Sequence, residues 1–204
     1  MIKNICFFLI AFILISLTQL HAQTNFSLKL TTVSYFFIQD KNQALFTNKF
    51  VDNLDVLYEP GLVLSFEQFI KDDYVSLKLV DGIYYDCTGN IGGYTHLGLR
   101  LRLYSKYKHS FNIGVGPTIY YRQDWSGMTN YNIHDDETYK KQGSWQYAYQ
   151  IINGEIEYNY ILSKRADLSV SIGQNHLNSF TFMLGYRYWF TKLIKFRGDC
   201  NCTH

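Results

Sequence analysis

Proline is almost absent from this chain, with two residues in 204 against 18 tyrosines and 15 phenylalanines. That balance favours extended strands, and aromatic side chains are also the residues of membrane interfaces. Charge of one sign is lacking too. Nineteen basic against seventeen acidic side chains leave a net of +2, too little to point to a nucleic-acid partner. Beyond the N-terminus there is no run of about 18 apolar residues, which excludes a second spanning helix. Cysteine is sparse and unpaired in number. Past the N-terminal segment only Cys87, Cys200 and Cys202 remain, so no regular disulfide framework is available.

What the chain does have begins with M-I-K-N, the apolar run Ile5 to Leu17, and then T-Q-L-H-A-Q. A positive start, an apolar stretch and a small-residue site make a secretory signal peptide, with cleavage expected after Ala22. Cys6 lies inside the apolar run, which argues against a lipid-anchored N-terminus; an uncleaved anchor is the alternative. Removing 22 of the 204 residues leaves 182, the size of one domain.

Extended segments are expected at Asn25–Gln39, Gly61–Ile70, Tyr74–Asp86, Gly93–Ser105, Ser110–Gln123, Trp145–Leu162, Asp167–Gly173 and Ser179–Phe190. Several alternate cleanly. Leu97, Leu99, Leu101 and Leu103 share one face, opposite His96, Gly98, Arg100 and Arg102. The last segment, S-F-T-F-M-L-G-Y-R-Y-W-F, puts Phe180, Phe182, Leu184, Tyr186, Tyr188 and Phe190 on one face. In that pattern and that aromatic strand ending on Phe, the chain resembles the small bacterial outer-membrane β-barrels. The resemblance implies an all-β, up-and-down antiparallel eight-stranded transmembrane barrel in the bacterial outer membrane. It divides the chain into a signal peptide (1–22), a barrel (23–190) and a periplasmic tail (191–204).

Alternation alone does not choose between a soluble barrel, apolar inside, and a membrane barrel, apolar outside. Three features favour the membrane. The joins near K-D-D, K-Y-K-H and S-K-R-A are short, while Asp40–Pro60 and Asp124–Ser144 are long, the pattern of periplasmic turns and outer loops. Phe26, Phe111, Tyr158, Tyr160, Tyr186, Tyr188 and Phe190 fall outward near the periplasmic ends, and Phe36, Tyr85 and Tyr121 near the outer ends. The opposite face carries charges that a side-chain-filled lumen must pair: Lys29, Glu67, Lys78, Arg100, Arg102, Glu155, Glu157 and Arg187. Two positions misfit, Asp81 on the lipid side and the parity slip near Ile151–Ile152; a β-bulge beside Gly82 and another beside Gly154 are expected to absorb them.

Chemistry is thinly marked. The loop holding Trp125, His134, Asp135, Asp136 and Glu137 is the richest polar stretch, and a binding loop is expected there rather than a metal site, because consecutive residues do not converge on one ion. The outer-membrane lipid A deacylases place His and Ser two residues apart on one strand face. The nearest feature here, His176 and Ser179, is spaced by three and has no evident acid partner. Cys200, Cys202 and His204 offer soft ligands but lack a fourth. No cofactor is expected. The expected partners are outer-membrane lipid and an extracellular or envelope protein bound by the outer loops, with a lipid A-modifying hydrolase or a narrow passive pore as the alternatives.

Overall fold

The computed structural model describes residues 23–36, 42–49, 56–71, 74–131, 138–175, 177 and 179–190. The expected signal peptide (1–22) and tail (191–204) lie outside them. Among the described residues nine strands follow in order: β1 (Thr24–Phe36), β2 (Val56–Lys71), β3 (Val75–Tyr85), β4 (Ile91–Lys106), β5 (His109–Gln123), β6 (Lys140–Gln142), β7 (Trp145–Ser163), β8 (Ala166–Gly173) and β9 (Ser179–Trp189). Strands β1 to β5 pair antiparallel in sequence, as do β7 to β9. Pairing of β5 with β7 and of β9 with β1 closes a ring of eight. The short β6 stands outside the ring and pairs with Trp145–Tyr147 at the top of β7.

Closure leaves the ring with neither a first nor a last strand, which is what hydrocarbon demands of a sheet. The side chains sort accordingly. Leu28, Leu30, Leu62, Leu64, Leu97, Leu99, Leu101, Val115, Ile156, Leu168, Ile172 and Leu184 stand exposed on the outer face, while Lys29, Glu67, Lys78, Arg100, Glu157 and Arg187 are buried inside. This inversion of an ordinary protein settles the two-way reading of the alternation in favour of a membrane barrel.

Strand order and most bounds follow the sequence reading, but β2 begins at Val56 rather than Gly61. Its extension includes Pro60, which the sequence reading leaves in a loop. The register of β1 against β2 slips between Thr31↔Gly61 and Val33↔Tyr58, so Pro60 sits at an irregularity, where a residue without an N–H is tolerated. The other proline, Pro117, likewise faces a slip, between Gly116↔Asn153 and Thr118↔Gln150. There β7 carries the extra residue expected near Ile151–Ile152, and both isoleucines point outward.

Two expectations are corrected. Phe36 faces the lumen, not lipid. Against β9, β1 steps from Thr31↔Met183 to Val33↔Phe182, and the bulged residue turns Tyr35 outward and Phe36 inward. Asp81, by contrast, keeps its lipid-facing position. The ladder from Val75 to Tyr85 runs without a slip against β4, and no bulge lies at Gly82. The carboxylate is served on the outer surface by Thr95 Oγ1 at 2.8 Å and the Tyr121 hydroxyl at 3.4 Å. Tyr121 reaches it by lying across β4 at Gly93, where a Cβ would come within 2.4 Å of the ring.

Candidate functional site

Inward parity places charged residues of seven ring strands at one level of the lumen. Lys29 on β1 donates to Glu155 Oε1 at 2.7 Å, Glu157 Oε2 at 2.5 Å and Ser171 Oγ at 2.8 Å. Lys78 on β3 reaches the same two glutamates at 2.6 and 2.9 Å. Arg100 on β4 bridges Glu67, at 3.1 Å, and Glu157. Arg187 on β9 joins Glu67, Glu157 and Asp167 at 3.3, 3.2 and 3.0 Å. Four cations therefore meet four carboxylates, and the layer is neutral. An eight-stranded ring leaves room for side chains only, so this lattice fills the periplasmic half of the lumen. Below it, Arg102 lies 4.5 Å from the centre of the Phe69 ring, beside Trp189, and its Nε donates to Asn112 Oδ1 at 3.4 Å. Trp189 Nε1 donates to Asp167 Oδ2 at 2.8 Å.

Above the ion layer the filling changes character. Tyr84, Tyr94 and Tyr120 come from neighbouring strands, with successive ring centroids 6.5 Å apart, and pack with Val63, Val80, Ala148 and Met183. The Tyr84 hydroxyl donates to the Asn175 carbonyl at 2.7 Å. Nearer the outer mouth, Phe36, Phe46, Leu57, Cys87 and Trp125 form a second apolar cluster, with Leu45, Met128 and Tyr131 against it. Residues from three outer connections thus share one small core, which caps the barrel.

Polar contacts pin the cap. Asp86, fully buried, accepts Trp125 Nε1 on Oδ2 at 2.9 Å and the Thr88 and Asn90 amides on Oδ1 at 2.9 Å. Arg122 is sandwiched between Trp125, 3.5 Å away, and Tyr139, 3.7 Å away, while its Nε donates to Gln146 Oε1 at 2.7 Å. Asp124 accepts from Ser126 N and Gln146 Nε2, both at 3.0 Å, and pairs with Lys141 at 2.5 Å. Slight burial works to raise its carboxyl, yet the Lys141 and Ser126 contacts outweigh it and carry the group down to about 2.

Glu67, Lys78, Arg100, Glu155, Glu157 and Arg187, read from parity alone, are brought together; Arg102 joins the aromatic floor beside them. Trp125 is buried in the cap instead of offering its ring to solvent. Ser179 faces the lumen, fully buried, and its Oγ has no hydrogen-bond partner among the described residues. His96 is held by Thr118 Oγ1 at 2.8 Å from Nδ1. His134, Asp135, Asp136, Glu137, His176, Cys200, Cys202 and His204 lie outside the described residues. Among those described, no group of three His, Cys, Asp or Glu side chains is placed to hold a metal ion. Asp167 and the tyrosine tier escaped the sequence reading, although each shares the inward parity of its strand and was findable by that signal.

No protein-family model matches the chain, and no curated protein matches it. Solved structures similar to it are small membrane barrels. The attachment invasion locus protein Ail of Yersinia pestis aligns over 83% of this chain and 99% of its own, at 10% identity and a TM-score of 0.47. The N-terminal β-barrel domain of Pseudomonas aeruginosa OprF covers 83% and 100%, at 14% identity and 0.45. Neisserial surface protein A covers 82% and 96%, at 8% identity and 0.48. The closed ring, apolar outside and charged within, is that of an integral β-barrel of the bacterial outer-membrane type.

Proposed function

We propose that this protein is a plugged, non-enzymatic barrel of the outer membrane that binds an extracellular or envelope protein through its outer loops. The observation that carries the reading is the double obstruction of the lumen, by the balanced ion layer below and the Trp125-centred cap above. A passive pore needs its charges separated by water; here the cations lie on the carboxylates at hydrogen-bond distance. The cap also presents outer-loop backbone on a packed base, which preorganises a binding surface and lowers the ordering cost of contact. Planar-bilayer recording of the purified protein tests it. The reading expects no steady single-channel current from the folded barrel, and a large, reproducible conductance would remove it.

A further inference from the structure

The periplasmic end of the barrel is unevenly charged. The β4–β5 turn carries Lys106, Lys108 and His109, and the β7–β8 turn carries Lys164 and Arg165, with no acidic residue in either. Between β2 and β3 the sequence instead reads Lys71, Asp72 and Asp73. The two basic turns are neighbours in the ring. His109 stands opposite Tyr160, and the Ile161 amide donates to the Lys108 carbonyl at 2.8 Å, close to the start of the second turn. The ion layer inside the lumen balances itself and leaves nothing to offset them. The sequence past β9 adds Lys192, Lys195 and Arg197 against Asp199, again with basic residues in excess.

Lys106, Lys108, Lys164 and Arg165 are all exposed, and two of them lie against aromatic rings. Arg165 Nη1 donates to the hydroxyl of Tyr188, an outward residue of β9, at 3.4 Å. Lys106 Nζ lies 5.3 Å from the centre of the Tyr107 ring. Tyr107 is 65% exposed and holds a φ of 54°, a left-handed turn geometry that glycine adopts without strain. The turn carries a large exposed ring all the same. Next along the wall, Tyr104, Phe111 and Tyr158 face outward, and His109 packs edge-on against Tyr160 with its Nδ1 2.5 Å from the Tyr158 hydroxyl. Amphipathic rings with cations at their polar ends suit the headgroup boundary, where ring meets acyl chain and cation meets phosphate. That placement favours a lipid over a soluble anion, which needs no apolar wall beside it.

We propose that this side of the barrel is a docking surface for anionic phospholipid of the periplasmic leaflet. Lys106, Lys108, Lys164 and Arg165 meet the lipid phosphates, while the acyl chains lie along Tyr104, Phe111 and Tyr158. A zwitterionic head fits less well, because its own cation faces the same four side chains. The inference rests on the membrane-embedded reading of the barrel.

The test reconstitutes the full mature protein in vesicles of equimolar phosphatidylglycerol and phosphatidylcholine. Native mass spectrometry after detergent extraction then counts retained lipid. Phosphatidylglycerol should be kept at least about fivefold over phosphatidylcholine, the worth of one basic side chain at an anionic surface. Replacing Lys106, Lys108, Lys164 and Arg165 together by Gln should bring the ratio close to one. Lys49→Gln with Lys140→Gln, two exposed cations of the outer connections, should leave it intact. A phosphatidylglycerol bearing a diazirine on its head gives a second reading on the wild type, with labelling concentrated at 104–111 and 158–166. Excess soluble glycerol phosphate should not displace that label. Equal retention of the two lipids, an unchanged preference in the fourfold variant, or labelling spread evenly around the barrel overturns the proposal, and displacement by glycerol phosphate reassigns the surface to a soluble anion and overturns it too. A protein without a heat-dependent gel shift would instead remove the embedded barrel itself.

Discussion

Replacing Glu157 by Gln keeps the shape of the side chain and removes one charge from the middle of the lumen. Four cations, Lys29, Lys78, Arg100 and Arg187, lie on this carboxylate, which is 1% exposed. With the charge gone, the layer holds four cations against three carboxylates in a buried site. Breaking a buried pair from one side costs about 3–5 kcal/mol, which corresponds to a loss of roughly a hundred- to several-thousand-fold in the folding equilibrium. Urea titration of the vesicle-embedded protein, read as the fraction of fast-migrating band in unheated SDS gels, measures it. Adding Lys78→Met restores neutrality, and the double variant should recover at least about 1 kcal/mol relative to the sum of the two single losses. Conductance should stay absent in every variant, because the glutamine still fills the space. A loss below about 1 kcal/mol for Glu157→Gln, or no recovery in the double variant, would mean that water and not side chains fills this layer, and the reasoning would fail.

Asp81→Leu should raise stability in lipid by about 1 kcal/mol, since a carboxylate leaves the hydrocarbon face, whereas Tyr121→Phe, which removes one of its hydroxyl donors, should lower it by a similar amount; the same urea titration reads both. Trp125→Ala should open the cap without unfolding the ring: limited proteolysis should cut within 124–131 while the gel mobility of the barrel is kept. The Asp124 clamp has a pH sign. Its folded carboxyl is lowered, so its contribution is fully present above about 4 and is lost as pH falls through about 2. Hydrogen exchange at Ser126 should therefore be slow at pH 5 and speed up, beyond the intrinsic trend, only on acidification toward 2.

Much of this architecture was legible because a two-residue period is a strong signal wherever a wall divides lipid from lumen. Leu97 to Leu103 and the last strand from Phe180 to Phe190 needed nothing else. The period fails where an extra residue enters, and there the sequence misled. Phe36 carries outward parity counted from Phe26, but the bulge at Thr31–Val33 reverses it. Pro60 reads as a loop because proline ends most strands, and only the slip against β1 admits it. Asp81 invited a rescue by bulging that the fold does not make. It is accommodated sideways, by a tyrosine two strands away whose path depends on the missing side chain of Gly93. The ion layer was legible as a list of charges but not as a lattice, since Lys29 and Glu157 are 128 residues apart. The cap was hidden for a related reason: Phe46, Cys87 and Trp125 come from three separate outer connections with no shared period.

The most direct measurement of the central claim is electrophoretic mobility of the membrane-extracted protein in SDS, unheated against boiled. A closed ring of strands resists SDS, so the unheated protein should migrate as a compact band that shifts on boiling. A single band unaffected by heat, from protein recovered in the soluble periplasmic fraction, would contradict the lipid-facing assignment of the outer Leu and Phe rows, and the account built on it would fall.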